Sequence, residues 1–372
     1  MQDKAREYSS IKHRIQTQTT PSKVYIKKLE DWSDSQKISD TLLSAWQHVE
    51  PFADFIDNKS FAAIKLTFGE EGANGYIRAP WLAGLISSLR QKTENLFIVE
   101  TNTLYREKRS NTVGHLNVAH SHGYSLEKTG IPVIIADGLH GRDGQNIPIK
   151  GDHFENVKIA RGICESDCMI CISHATGHMQ SGFGGALKNL GMGCASRQGK
   201  LLQHSGTLPE ITVEKCTGCG ACMAICPANA IGIKKKKAIL VKERCIGCGE
   251  CTVVCRTGAI DIKYDENAVK FQEKMVEYAL GVKKALNSRI VYVNFLEHVT
   301  KNCDCMSKDE TPIAPDIGII CSMDPVAIDK ASMDLIGLDK FKESFPDIDP
   351  FVQIRHSEKI KLGSSQYELV EF

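Results

Sequence analysis

The chain has 372 residues, 42% hydrophobic and only 7% aromatic, with 46 basic against 45 acidic side chains and a formal net charge of +1. That length suffices for two domains with real cores, and the balanced charge removes the electrostatic reason to expect nucleic acid or an anionic membrane as main partner. With no run of about 18 apolar residues, no membrane span is expected. Residues 1–22 form a polar N-terminal extension lacking the apolar stretch of a secretory signal, so a soluble, cytoplasmic protein is expected.

From residue 23 to 207 short apolar runs alternate with helical periodicity. Segments 62–67 and 96–100 predict buried strands, with a helix over 80–91 between them. Further strand-like runs lie at 132–136 and 168–173, and a helix is expected over 184–190. Cys164, Cys168 and Cys171 only loosely resemble a radical-chemistry cluster spacing. Two of them fall in a strand, so they read as buried thiols.

The glycine-rich stretch from Ser181 to Cys194 leads into the helix over 184–190. Its glycines free backbone N–H groups, and a helix dipole adds attraction for an anion. Gly182, Gly184, Gly185 and Asn189 are therefore candidates to hold a phosphate-bearing ligand or a substrate carboxylate, with Lys188 adding charge; tight helix–sheet packing without a ligand is the plainer reading. His174 and His178 are spaced i, i+4, but Thr176 and Gly177 argue against a helix there. They read as hydrogen-bonding histidines or as acid–base groups titrating near neutrality.

Residues 208–264 carry the clearest chemistry. The chain has 15 cysteines, and eight fall between Cys216 and Cys255. Cys216, Cys219, Cys222 and Cys226 repeat as Cys245, Cys248, Cys251 and Cys255, offset by 29 residues. Each half has the C-x2-C-x2-C-x3-C spacing of bacterial ferredoxins, so the segment is expected to be an inserted ferredoxin domain with two [4Fe–4S] clusters. Three closely spaced thiols wrap one cubane, with glycines relieving the crowding, and the fourth reaches across to the other. That assigns Cys216, Cys219, Cys222 and Cys255 to one cluster, and Cys245, Cys248, Cys251 and Cys226 to the second. Zinc is the competing metal for paired C-x2-C motifs. Arg256 stands where a second proline is common and would put a charge beside the second cluster. Lys234 to Lys237 read as a solvated loop, with docking of an acidic electron carrier as the lesser reading.

Residues 265–372 return to the first pattern: a helix over 271–286, a strand over 289–296, a strand over 317–321, and a helix over 325–336 started by Asp324 with Pro325 in its first turn. The alternation implies an α/β fold with a largely parallel sheet flanked by helices and interrupted by the insert. Ligands of such sheets sit beyond the carboxyl ends of the strands. The polar stretches after the expected strands (Thr67 to Gly72 with Arg78; Glu100 to Thr103 with Tyr105; Asp137 with His140; His174 to His178; Cys303 to Cys305) would then share one rim. Cys303 and Cys305, with Cys194, are candidates for a further metal or thiol site, or are simply reduced loop cysteines.

On the stretches from Ser173 to His178, Gly182 to Arg197, Asn302 to Cys305, Pro315 to Gly318 and Asp324 to Asp329, the chain resembles the ferredoxin-fused form of the family called domain of unknown function 362. The resemblance implies an iron–sulfur-binding protein and no particular reaction. The expected function is an oxidoreductase relaying electrons between a soluble electron carrier or redox enzyme and, through two [4Fe–4S] clusters, a site for a small anionic substrate or cofactor on the α/β domain. Lys188, His174 and His178 would act as its proton-transfer or charge-stabilising groups. A non-enzymatic electron-transfer or redox-sensing protein, and a flavin-linked reductase with FMN phosphate at the glycine loop, are the alternatives.

Overall fold

The computed structural model describes residues 20–105, 107–204, 208–261, 267–305 and 310–372. Most of the proposed N-terminal extension lies outside them. Eight strands form the central sheet: β1 (Ser22–Lys28), β2 (Ala62–Lys65), β3 (Leu96–Glu100), β4 (Val133–Ile135), β5 (Cys168–His174), β6 (Ile290–Leu296), β7 (Gly318–Ser322) and β8 (Tyr367–Glu371). Their spatial order is β8-β1-β7-β6-β5-β2-β3-β4. Only β7 runs against the others: it is antiparallel to β1 and β6, and every other adjacent pair is parallel.

The central strands β2, β3, β5, β6 and β7 are buried along their whole length because apolar layers cover both faces of the sheet. Alternation splits β5 between the layers: Met169 and Cys171 join the core on one face, Cys168, Ile170 and Ile172 the core on the other. Cys168 and Cys171 therefore point to opposite sides of the sheet. Helices Ser35–Val49 and Ala83–Arg90 cover one face; Ala268–Ala285 and Pro325–Ile336 cover the other. Asp324 caps the last of these, accepting from the N–H groups of Val326 and Ala327 at 2.8 and 3.2 Å, with Pro325 at the first helical position.

Residues 208–261 form a small unit of two-stranded ribbons and two five-residue helices, Ala221–Ile225 and Glu250–Val254. Its core cluster joins Ile231, Ala238, Ala259 and Ile260 with Cys216, Cys222 and Cys251. No helix of the described residues is long and apolar enough to cross a membrane.

Candidate functional site

The loops leaving β2, β3, β5 and β6 meet at one end of the sheet around a cavity of about 680 Å³, a size suited to a small organic ligand. The rim after β4 does not line it. Asp137 instead lies buried behind the wall, its Oδ1 accepting from Asn102 N and Nδ2 at 2.9 and 2.8 Å.

The wall is dense in buried charge. On β2, Lys65 donates to Glu100 at 2.9 Å, to Asn189 Oδ1 at 2.7 Å and to the Leu66 carbonyl at 3.1 Å. Burial works against this ammonium, yet Glu100 holds its pKa above the usual lysine range. Arg109 donates to Glu70 at 2.9 Å, Thr67 at 3.1 Å and Tyr105 at 2.7 Å. Lys200 donates to Thr101 Oγ1 and to the Ala195 carbonyl, and burial lowers its pKa to about 8 against the opposing pull of Asp137. Lys188 also lines the cavity. Burial lowers it to about 8, with Asp304 resisting, and its ammonium has no hydrogen-bond partner among the described residues. Among the described cations of the cavity wall it is the one left for a ligand.

The two histidines have different states. His174 ends β5, and its Nδ1 donates to both oxygens of Asp304 at 3.0 Å while Nε2 donates to the Glu297 carbonyl at 2.6 Å. Burial disfavours its charge, but Asp304 overrides that and raises the pKa to about 9. Both ring nitrogens are consumed, so His174 is a charged strut between loops with no free nitrogen for a substrate. His178 accepts at Nδ1 from the N–H groups of Gln180 and Ser181, at 3.3 and 3.2 Å. Burial and then Lys188 keep it neutral, which puts its proton on Nε2 as a donor. Phe271, from the helix Ala268–Ala285, stacks on both His178 and His204 to complete the wall.

Two N–H groups at the helix start after the glycine loop are taken within the chain. The carboxylate of Asp329 accepts from the N–H groups of Ala186 and Leu187 at 2.7 and 2.8 Å, so the chain's own acid fills the helix start. Gly184 and Gly185 line the cavity without offering those amides, and Gly182 packs against Pro350. The Asn189 amide is spent on Ile172 O, Ser173 and Lys65. Cys303 and Cys305 line the cavity, joined as a disulfide. His178, not Cys194, stands beside them, its ring within 4.8 Å of both sulfurs. The Cys194 thiol lies 3.8 Å from the Asn189 carbonyl, and burial pushes it up to about 11. Another acidic group, Asp152, Glu277 and His356, is structural: Glu277 accepts from the N–H groups of Asp152, His153 and Phe154.

In the insert the cysteines gather into two cages. One small cavity is lined by Cys216, Cys219, Cys222 and Cys255, the other by Cys226, Cys245, Cys248 and Cys251. All eight are free thiols. The Ala238 N–H donates to the Cys216 sulfur at 3.3 Å and the Ala230 N–H to that of Cys226 at 3.2 Å. Gly218 has φ +71°, and a Cβ there would lie 2.2 Å from the Lys236 carbonyl, so only glycine passes. Burial, then the neighbouring thiols Cys248 and Cys245, push Cys251 up to about 12. Four converging sulfurs are a donor set of the kind metals use. Arg256 follows Cys255 and so falls beside the cage of Cys216, whereas the linear order suggested the second repeat.

An α/β body with a charged cavity at its strand ends, carrying a cysteine-rich insert, is the class of protein these observations define. The chain belongs to the family described as domain of unknown function (DUF362), whose profile matches residues 62–334. No curated protein matches it. Among solved structures it is similar to the lactate racemase apoprotein from Thermoanaerobacterium thermosaccharolyticum (11% identity, TM-score 0.40, over 74% of this chain and 50% of that one). It is likewise similar to a structural-genomics protein from Thermotoga maritima (12% identity, TM-score 0.41, over 85% of this chain and 59% of that one). The chain thus spans between half and three fifths of these neighbours, and similarity this slight identifies no activity.

Proposed function

We propose that the protein is an iron–sulfur oxidoreductase that passes electrons from a soluble donor through two [4Fe–4S] clusters to a small anionic substrate in the cavity of the α/β body. The observation that carries this reading is the pair of four-thiol cages, each taking three cysteines from one repeat and the fourth from the other. Residues 208–261 would then be a ferredoxin-type domain. Bound there, cubane clusters supply one-electron transfer.

The body's own residues do the rest. Lys188 meets the substrate's negative charge, and the proton on His178 Nε2 gives a second donor on the same wall. With its pKa near 8, Lys188 can also release a proton near neutrality, as a reduction of a carbonyl-like or unsaturated group requires. Lys65, Arg109 and Lys200 are tied to acids, hydroxyls or carbonyls and set the positive field without moving. His174 and Asp304 hold the loops that carry Lys188's surroundings.

A pure electron carrier has no use for a cavity lined by an unpaired lysine, which favours an enzyme over the electron-transfer reading. The filled helix start removes the main support for FMN phosphate at the glycine loop. The experiment is anaerobic reconstitution of the full chain with iron and sulfide analysis and visible and EPR spectra. About eight irons per chain with cubane signals support the reading; zinc in their place overturns it, and flavin bands would revive the reductase alternative.

A further inference from the structure

Two cages in one insert raise the question of which of them serves the cavity. The insert touches the body on one side. Gly249, in the wall of the cage holding Cys226, Cys245, Cys248 and Cys251, is packed so that a Cβ would lie 3.0 Å from Leu104 Cδ1, 3.6 Å from Arg197 Cγ and 3.7 Å from Leu201 Cδ2. Leu104 in turn lines the cavity. One side chain therefore contacts both compartments, and Leu104 and Leu201 bury each other, keeping water out of the gap.

Polar contacts fasten the same side. Arg197 is buried, donating to the carbonyls of Thr103 at 3.2 Å, His140 at 2.6 Å and Ser110, and Cys248 lies within its electrostatic reach. Arg142 pairs with the buried Glu250 and donates to the Ile225 carbonyl at 2.9 Å; Gln198 donates to that of Ile246. The other cage looks away. Cys219 is exposed, a Cβ on Gly220 would meet nothing within 4 Å, and Gly218 abuts Lys236 of the insert itself.

We infer that the cages are ordered: the one formed by Cys216, Cys219, Cys222 and Cys255 accepts electrons at the molecular surface, and the one formed by Cys226, Cys245, Cys248 and Cys251 delivers them into the cavity across Leu104. The inference rests on the iron–sulfur reading. In each transfer a soluble one-electron donor is oxidised as the outer centre is reduced, and the outer centre is reoxidised as the inner one is reduced. Two such transfers bring the electron pair for a two-electron reduction. Arg197 is a positioning residue here: its fixed charge favours the reduced, more negative state of the inner centre, drawing electrons inward.

The test takes the full chain, reconstituted anaerobically with iron and sulfide counted first, and reduces it with dithionite in a potentiometric EPR titration. Cys248→Ser and Cys222→Ser assign each signal to its cage. Arg197→Gln is expected to lower the midpoint potential of the signal assigned through Cys248 and leave the other unmoved, and Arg197→Lys to return it towards wild type. Arg142→Gln, which strips the partner from the buried Glu250 carboxylate at a half-exposed site, should move the same signal in the same direction. A dysprosium chelate in solution should speed relaxation of the signal assigned through Cys222 and spare the other. Shifts in the wrong signal, equal shifts in both, or chelate effects on the Cys248 signal overturn the order but leave the iron–sulfur reading standing. A chain without cubane iron removes both.

Discussion

The insert and the body are held together by different means. The body has an apolar layer on each face of an eight-stranded sheet. The insert has a few small or medium apolar residues and a set of thiols at its centre. At this size a core rarely suffices without a metal or disulfides. The body's surplus of apolar burial is what lets it keep lysines buried at the cavity, each of which works against stability. The insert has no such surplus, and thiols take up much of its interior.

The largest effect should therefore come from emptying the cages. Anaerobic chelation, or Cys222→Ala combined with Cys251→Ala, is expected to abolish protection of 208–261 against proteolysis and hydrogen exchange while the body keeps its own. An insert that stays protected without metal would erase the contrast.

Within the body the cavity rim depends on pH. His174 has its pKa raised from 6.5 to about 9 by Asp304. A base raised on folding contributes stability that is full below pH 6.5 and is lost as pH rises through 9. His174→Gln should then cost about 3 kcal/mol near pH 6 and progressively less towards pH 9.5, where the wild type also faces Asp304 uncharged. Denaturant titrations across that range check it; a difference independent of pH would mean that the ion pair is not what joins the loops.

Lys188 should behave in the opposite sense. Its lowered pKa means that burying the ammonium destabilises the native state, most below pH 8 and less as pH rises towards the ordinary lysine range. Lys188→Met is expected to stabilise the chain by about 1–2 kcal/mol, discounting for its contact with cavity solvent. The same change should abolish turnover and leave the cluster spectra intact. A destabilised variant with full activity would place the lysine in the packing and outside the site.

These contrasts also explain what the sequence could disclose. Cysteine spacing is a local property, fixed by the reach of a loop around a metal, so all eight cage residues are legible along the chain. The central strands are legible because burial on both faces leaves apolar runs such as Leu96–Val99. The strand Ser22–Lys28, second from one edge of the sheet, is not, since three lysines flank its three buried positions. Lys65 ends a strand and Lys200 lies on the helix Arg197–His204; each looks like a solvated charge until partners from distant segments close over it. The partner of the helix start beyond the glycine loop was hidden for the same reason: Asp329 lies 143 positions from Ala186. Strand direction was equally hidden, and with it the reversal of β7.

The smallest effect separates two kinds of cysteine. Cys168 and Cys171 share a strand but face opposite layers, each packed as a small apolar side chain, with burial pushing Cys168 up to about 12. Cys168→Ala and Cys171→Ala remove one sulfur each and should cost about 1 kcal/mol as a minor cavity. Iron content and both EPR signals should stay as in the wild type. Cys222→Ala removes the same atom and should eliminate one signal entirely. If either strand variant lowered the iron count, thiols of the sheet would be ligands after all, and the proposed division between packed sheet thiols and metal-binding insert thiols would fail at its simplest point.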